Sequence, residues 1–331
     1  MKFFYYIIII FFVVYSLYSQ PPESNFQNQF NEAIEKSHNP DPYIRRQAAE
    51  QFGILRDVRA IPHLKRLLKD ENPFVRQASV DSLGLLRAKE VIDDILDVLK
   101  NDNDLQVRQS AIIALGYIGI SDFKVVSPLI DILKNEKESY ALKYAACNTL
   151  SILRSTQAVS VLVELLESTE DINLKKSIIY TLGKISHPDG ISALRDSIEK
   201  NLQNEAIIAD IVKVLVEVSD VGVINKFKVL YSTPTISLKT KFYFAYALAK
   251  LAKDTSVLGT IKNSLKSPDE GVKNLAIDAI RFIGDKESLS ILKEMYKKET
   301  SVYTKQLLDI AIKQLEAKYP SSLPETPQKK R

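Results

Sequence analysis

Small or apolar side chains recur three or four residues apart at Val75, Ser79, Leu83 and Leu86, then resume at Ile92, Ile95 and Leu99 after a polar break around Ala88–Glu90. That spacing places each set on one face of a helix and predicts a helical hairpin over Asn72–Lys100. Asn72 is suited to cap the first helix, and Pro73 fits the first helical position, where its missing N–H costs nothing.

The same pattern can be laid over most of the chain. With Leu83 as anchor, equivalent residues are Phe52, Leu115, Leu150, Leu182, Leu215, Leu248, Ile280 and Ile312, at spacings of 31 to 35 residues. Such regularity identifies a structural repeat. Eleven residues before the anchors stand Asp41, Asn72, Asp104, Ser139, Asp171, Asn204, Ser237, Asp269 and Ser301, every one a helix-capping type. Seven before them stand Arg45, Arg76, Arg108, Lys143, Lys175, Ile208, Lys241, Lys273 and Lys305, basic in all but the sixth repeat. Glycine follows the anchor at Gly53, Gly84, Gly116 and Gly183, which lets neighbouring helices approach closely.

The segments IRRQAAEQFG (44–53), VRQASVDSLG (75–84) and VRQSAIIALG (107–116) resemble the HEAT repeat in its short, PBS-lyase HEAT-like form. The resemblance covers roughly residues 41–319 and is weakest around Leu215 and Leu248. It implies an all-α fold, a right-handed α-solenoid of about eight helical hairpins, used in most relatives to bind other macromolecules.

The expected organisation is a signal peptide over 1–19, a linker and N-terminal capping helix over 20–40, the HEAT-like solenoid over 41–319 and a disordered basic tail over 320–331. The apolar run Phe3–Val14 after one lysine is a short hydrophobic core of the export type, with an uncleaved membrane anchor as the alternative. Periplasmic or secreted localisation in a bacterium follows. Phe26, Phe30 and Ile34 give the capping helix one apolar stripe, and a lone helix around Ser301–Tyr319 closes the other end.

The second helices of such stacks usually line the concave side. One outward row carries Leu96, Ile130 and Val163 at its centre, bordered by Asp97, Asp131 and Glu164 in the adjoining row. An apolar patch rimmed by acids suits a protein or peptide partner with apolar and basic side chains; partial cover by adjacent helices is the structural alternative.

Charge argues against nucleic acid. The formal charge is +4 over the chain; without Lys2 and the basic tail, about +1 remains for the solenoid, far from the excess a phosphate-binding surface needs. The ladder of cations is therefore expected to bond carboxylates or helix ends in neighbouring repeats. Membrane contact is expected only through an uncleaved N-terminal segment. Cys147, the single cysteine, forms no internal disulfide and reads as a small buried hydrophobe. His38, His63 and His187 have no metal-ligand spacing, and no phosphate-binding loop or nucleophile elbow is present. No catalytic residue, cofactor or metal site is assigned. The expected function is a non-catalytic, exported interaction scaffold; the alternative is a lyase-like or enzyme-associated protein holding a small ligand in the concave groove. The aromatic run Phe242–Tyr246 replaces the small residues of other first helices. It marks repeats six and seven as the place for a bend and reads as core packing, with a binding pocket as the alternative.

Overall fold

A computed structural model describes residues 23–320. The expected signal peptide and the tail after Pro320 lie outside the described residues. Among those described, eighteen α-helices and no strands are found.

The caps set the register. All nine polar residues eleven before the anchors stand at the N-cap of a first helix, and each side chain accepts from a backbone N–H two or three residues on. Each thereby satisfies a donor that the first helical turn leaves without a partner. Pro42, Pro73 and Pro188 occupy first helical positions.

The chain divides into two compact units at Leu162/Val163. In the first unit the capping helix Glu23–Lys36 packs on the first helix of repeat one, Pro42–Leu55, followed side by side by Pro73–Leu85, Leu105–Ile118 and Tyr140–Leu153. The second helices, Ile61–Leu67, Ile92–Asn101 and Phe123–Lys134, form another layer, each against the first helix of the next repeat. The capping helix buries Phe30 and Ala33 fully, while Phe26 and Ile34 are half-buried, so the stripe centres one step away from its expected line.

The second unit repeats the plan. Its first helices are Ile172–Ile185, Glu205–Glu217, Leu238–Ala247, Glu270–Ile283 and the lone Val302–Lys318; its second helices are Pro188–Lys200, Ile224–Ser232, Leu258–Ser264 and Lys286–Lys298. The helix Val159–Ser168 crosses the boundary.

Eight of the nine anchors are fully buried, and the ninth, Ile312, is half-buried on the last helix among the described residues. A Cβ added at Gly84 would lie 2.9 Å from the Ala114 Cα, so that glycine permits backbone contact between consecutive first helices. Ser82 Oγ donates to the Ala49 carbonyl at 2.7 Å and Thr149 Oγ1 to the Ile112 carbonyl at 3.0 Å, which ties the first helices of repeats one and two, and of three and four, through polar bonds. The aromatic run is core: Phe242, Tyr243, Phe244 and Tyr246 are buried, with Phe244 stacked on Phe227 at 5.1 Å. The bulk is accommodated by a π-helical turn, Leu248–Ala252, which inserts one extra residue before the helix ends.

Candidate protein-binding face

Four cations of the ladder bond carboxylates of the loop that ends their repeat. Arg45 donates from Nε and Nη2 to Asp70, Arg76 does the same to Asp102, and Arg108 reaches Glu138 at 2.7 Å. Lys273 reaches Glu299 at 3.1 Å. Arg45 and Arg76 also donate to carbonyls five and six residues upstream, so one guanidinium fixes the loop before its helix and the loop after its repeat. Burial pushes the Asp70 and Asp102 carboxyls up, but the arginine and backbone N–H bonds outweigh it and hold both below the ordinary carboxylate range. These cations are engaged within the fold.

An open depression of about 420 Å³ lies between the second helices of repeats two and three. Its apolar surface comes from Leu96, Leu99, Pro128 and Ile132. Leu99 and Ile132 belong to the core, whereas Leu96 and Pro128 are half-buried and offer contact area. Pro128 lies inside Phe123–Lys134 and cannot donate to the Lys124 carbonyl, which loosens the helix beside the depression. Arg108 donates to the Leu99 carbonyl at 2.9 Å and to Glu138, closing one end. That bond holds the Glu138 carboxyl below the usual range.

Of the residues singled out in the sequence, the structure brings Leu96 and Asp131 together in this depression. Asp97 is exposed on the helix of Leu96 and accepts from Asn101 Nδ2 at 2.7 Å. The Asp131 carboxylate is exposed and has no side-chain partner among the described residues. Ile130 is half-buried but does not line the depression; Val163 and Glu164, half-buried and exposed, belong to the second unit. Asp93 and Asp94 are neutralised by Lys124 and Lys65, so they add less to the rim than their number suggests. Pro128 was missed from the sequence, although a proline six residues into a predicted helix was a visible signal.

His63 stacks on Phe52 at 5.4 Å, and burial together with Arg66 pushes its imidazole below the ordinary value. Cys147 is fully buried. Among the described residues no group of three His, Cys, Asp or Glu could hold a metal ion, and no helix is long and apolar enough to cross a membrane.

A HEAT-repeat family model matches residues 31–116 and 125–218. The chain belongs to the HEAT-repeat family. No curated protein sequence matches it. Among solved structures, importin beta superposes with a TM-score of 0.56 at 12% identity, over 86% of this chain and 45% of that one. The Escherichia coli protein YibA gives 0.48 at 15% identity over 80% and 97%. The complex of CpcE and CpcF of phycocyanin lyase from Nostoc sp. PCC7120 gives 0.44 at 17% over 68% and 94%. The likeness to importin beta concerns the fold alone. An all-α HEAT solenoid is an architecture typical of protein-interaction scaffolds.

Proposed function

We propose that this HEAT-repeat protein is an exported, non-catalytic scaffold that binds a protein or peptide segment on the second helices of repeats two and three. Apolar side chains of the partner enter between Leu96 and Pro128, and a basic group meets Asp131, with Asp97 beside it. The observation that carries this reading is Asp131: an unpartnered carboxylate at the lip of an apolar depression, in a chain whose ladder acids are held by cations. Ile130 extends the surface along the same helix, and Val163 and Glu164 repeat the pairing in the second unit. The apolar run Phe3–Val14 supports the export part of the proposal. A long preformed surface makes many weak contacts at low ordering cost.

Selection from a displayed random-peptide library on the full chain tests the proposal. Sequences mixing Lys or Arg with Leu, Ile or Phe should be enriched on the native protein, bind more weakly as salt is raised, and be lost on L96K/D131K. Enrichment that is indifferent to both substitutions would remove the site. A small-molecule ligand, which a volume of about 420 Å³ also admits, is the second reading; it gains if no peptide is selected and a bound compound is found by mass spectrometry of the purified protein.

A further inference from the structure

The turns between first and second helices of repeats one to four gather a second surface, separate from the depression. In this first unit the ends of the first helices expose Ile54, Leu85, Tyr117 and Ile152, one per repeat, at 78%, 42%, 51% and 56% of their full area. Val58 and Phe123 add exposed apolar groups on the turns that follow. Large aliphatic and aromatic side chains are therefore presented to solvent at one structural position in four consecutive repeats.

The same turns carry unpaired cations. Two residues beyond Ile54, Leu85 and Ile152 stand Arg56, Arg87 and Arg154, all exposed. Each adopts the left-handed conformation, φ 51°, 50° and 48°, at a position that glycine fills in repeat three, where Gly119 has φ 76°. Unlike the ladder arginines, their guanidinium groups have no partner among the described residues, and neither has exposed Lys89. Among nearby acids, Asp57 is occupied by Arg59 and Asp122 by the Val125 N–H, which leaves exposed Glu90 as the one carboxylate set against Arg87 and Lys89 on their turn. The opposite ends of these helices also expose apolar groups, Tyr43, Phe74 and Tyr140, but there acids, Asp41, Asp104 and Glu71, are mixed with exposed lysines, Lys69, Lys100, Lys134 and Lys137.

The N-terminal segment joins at the basic end. Arg59, on the turn of repeat one, donates to Gln27 at 3.1 Å and lies over the Phe30 ring at 4.7 Å. The capping helix thus starts, at Glu23, beside the turns, and the apolar sequence Phe3–Val14 precedes it.

We propose that the helix-turn edge of repeats one to four docks on the surface of an anionic lipid bilayer. The guanidinium groups meet lipid phosphates while Ile54, Leu85, Tyr117, Ile152 and Phe123 enter the interfacial region. Apolar groups combined with cations favour such interfaces, and each basic residue at an anionic surface contributes separately to binding.

The test uses the full chain with a cysteine introduced by L85C and carrying an environment-sensitive fluorophore; Cys147 is buried and does not compete. A second chain is labelled through F74C at the opposite end. On phosphatidylglycerol-containing vesicles the label at position 85 should shift to the blue and be quenched by brominated lipid. It should stay aqueous on pure phosphatidylcholine, and the label at 74 should stay aqueous on both. R56Q/R87Q/R154Q should lower the ratio of docked to undocked protein on the order of a hundredfold with an unchanged circular dichroism spectrum, because those side chains have no partner to lose. Because the readout is at the turn itself, attachment through the N-terminal segment alone leaves label 85 in water and overturns the proposal. Immersion that is equal on the two lipids or undiminished in the triple variant, or a turn edge that binds only protein, overturns it as well.

Discussion

Arg76 holds Asp102 through two parallel hydrogen bonds, Nε to Oδ2 at 2.7 Å and Nη2 to Oδ1 at 2.8 Å, while Nη1 donates to the carbonyls of Asp70 and Glu71. One side chain thus fixes the loop before its helix and the loop after its repeat. Both charged groups are largely removed from water, at 17% and 7% exposure. R76Q leaves the Asp102 carboxylate uncompensated and should destabilise the protein by about 3 kcal/mol, within the range for breaking such a pair. The pH sign follows from the depressed carboxyl. Stability from Asp102 is fully present above its unfolded value near pH 4 and is lost as pH falls through the lower folded value. The melting temperature of the native protein, measured by calorimetry against pH, should drop on that acid limb, and R76Q should flatten the limb.

Gly84 and Gly116 hold equivalent positions but face different neighbours. A methyl group at Gly84 meets the Ala114 Cα at 2.9 Å, whereas at Gly116 the nearest atoms are the Thr149 side chain at 3.4 Å. Backbone cannot yield as a side chain can, so G84A should cost about 1–3 kcal/mol through overpacking. G116A should be neutral or stabilising by up to about 1 kcal/mol, the gain in helix propensity. Chemical denaturation of the two variants side by side checks the contrast; equal losses would mean that the close approach is not what selects glycine.

The caps and anchors were legible because both are local or periodic: a cap needs only its own next turn, and burial of Leu83 or Leu115 follows from helical spacing. Partners of the ladder cations were legible as a class, carboxylates of the following loop, but not by name, since Arg45 finds Asp70 twenty-five residues away whereas Arg108 finds Glu138 at thirty. Of the row Leu96, Ile130 and Val163, Leu96 lines the depression, and Ile130, one helix on, does not. Second helices vary in length and in where their 3₁₀ turns begin, so one sequence offset does not give one direction. Arg56, Arg87 and Arg154 share the offset of four from their anchors and could have been found in the same register. Their importance lies in having no partner, which only tertiary structure shows.

His63 offers a separate handle on pH. Its ring stacks on Phe52 and meets Phe30 edge-on at 6.4 Å, and burial with Arg66 disfavours the imidazolium. The unfolded chain therefore binds the proton more readily. Stability is full above the unfolded value near pH 6.5 and declines as pH falls toward the lower folded value. Proton NMR should place the His63 titration below the ordinary imidazole value. H63F, which keeps an aromatic ring at the stack, should remove this part of the pH dependence.

Phe244 tests whether the seventh repeat is core or cavity. Its ring is fully buried and stacked on Phe227, and the neighbouring Tyr246 hydroxyl approaches Asp278, whose other contacts are Lys250 and Arg281. Aromatic bulk at this point replaces the small residues of other first helices, and Lys250 of the π turn donates to Asp278 at 2.7 Å. Truncation by F244A removes a large, fully buried side chain and leaves a cavity that a close-packed core closes only in part. A loss of about 3–5 kcal/mol is expected, with F244L recovering most of it. If instead the ring lined a ligand pocket, F244A would leave thermal stability nearly unchanged and alter only what the protein binds, so melting curves of the three proteins without added ligand decide between the two.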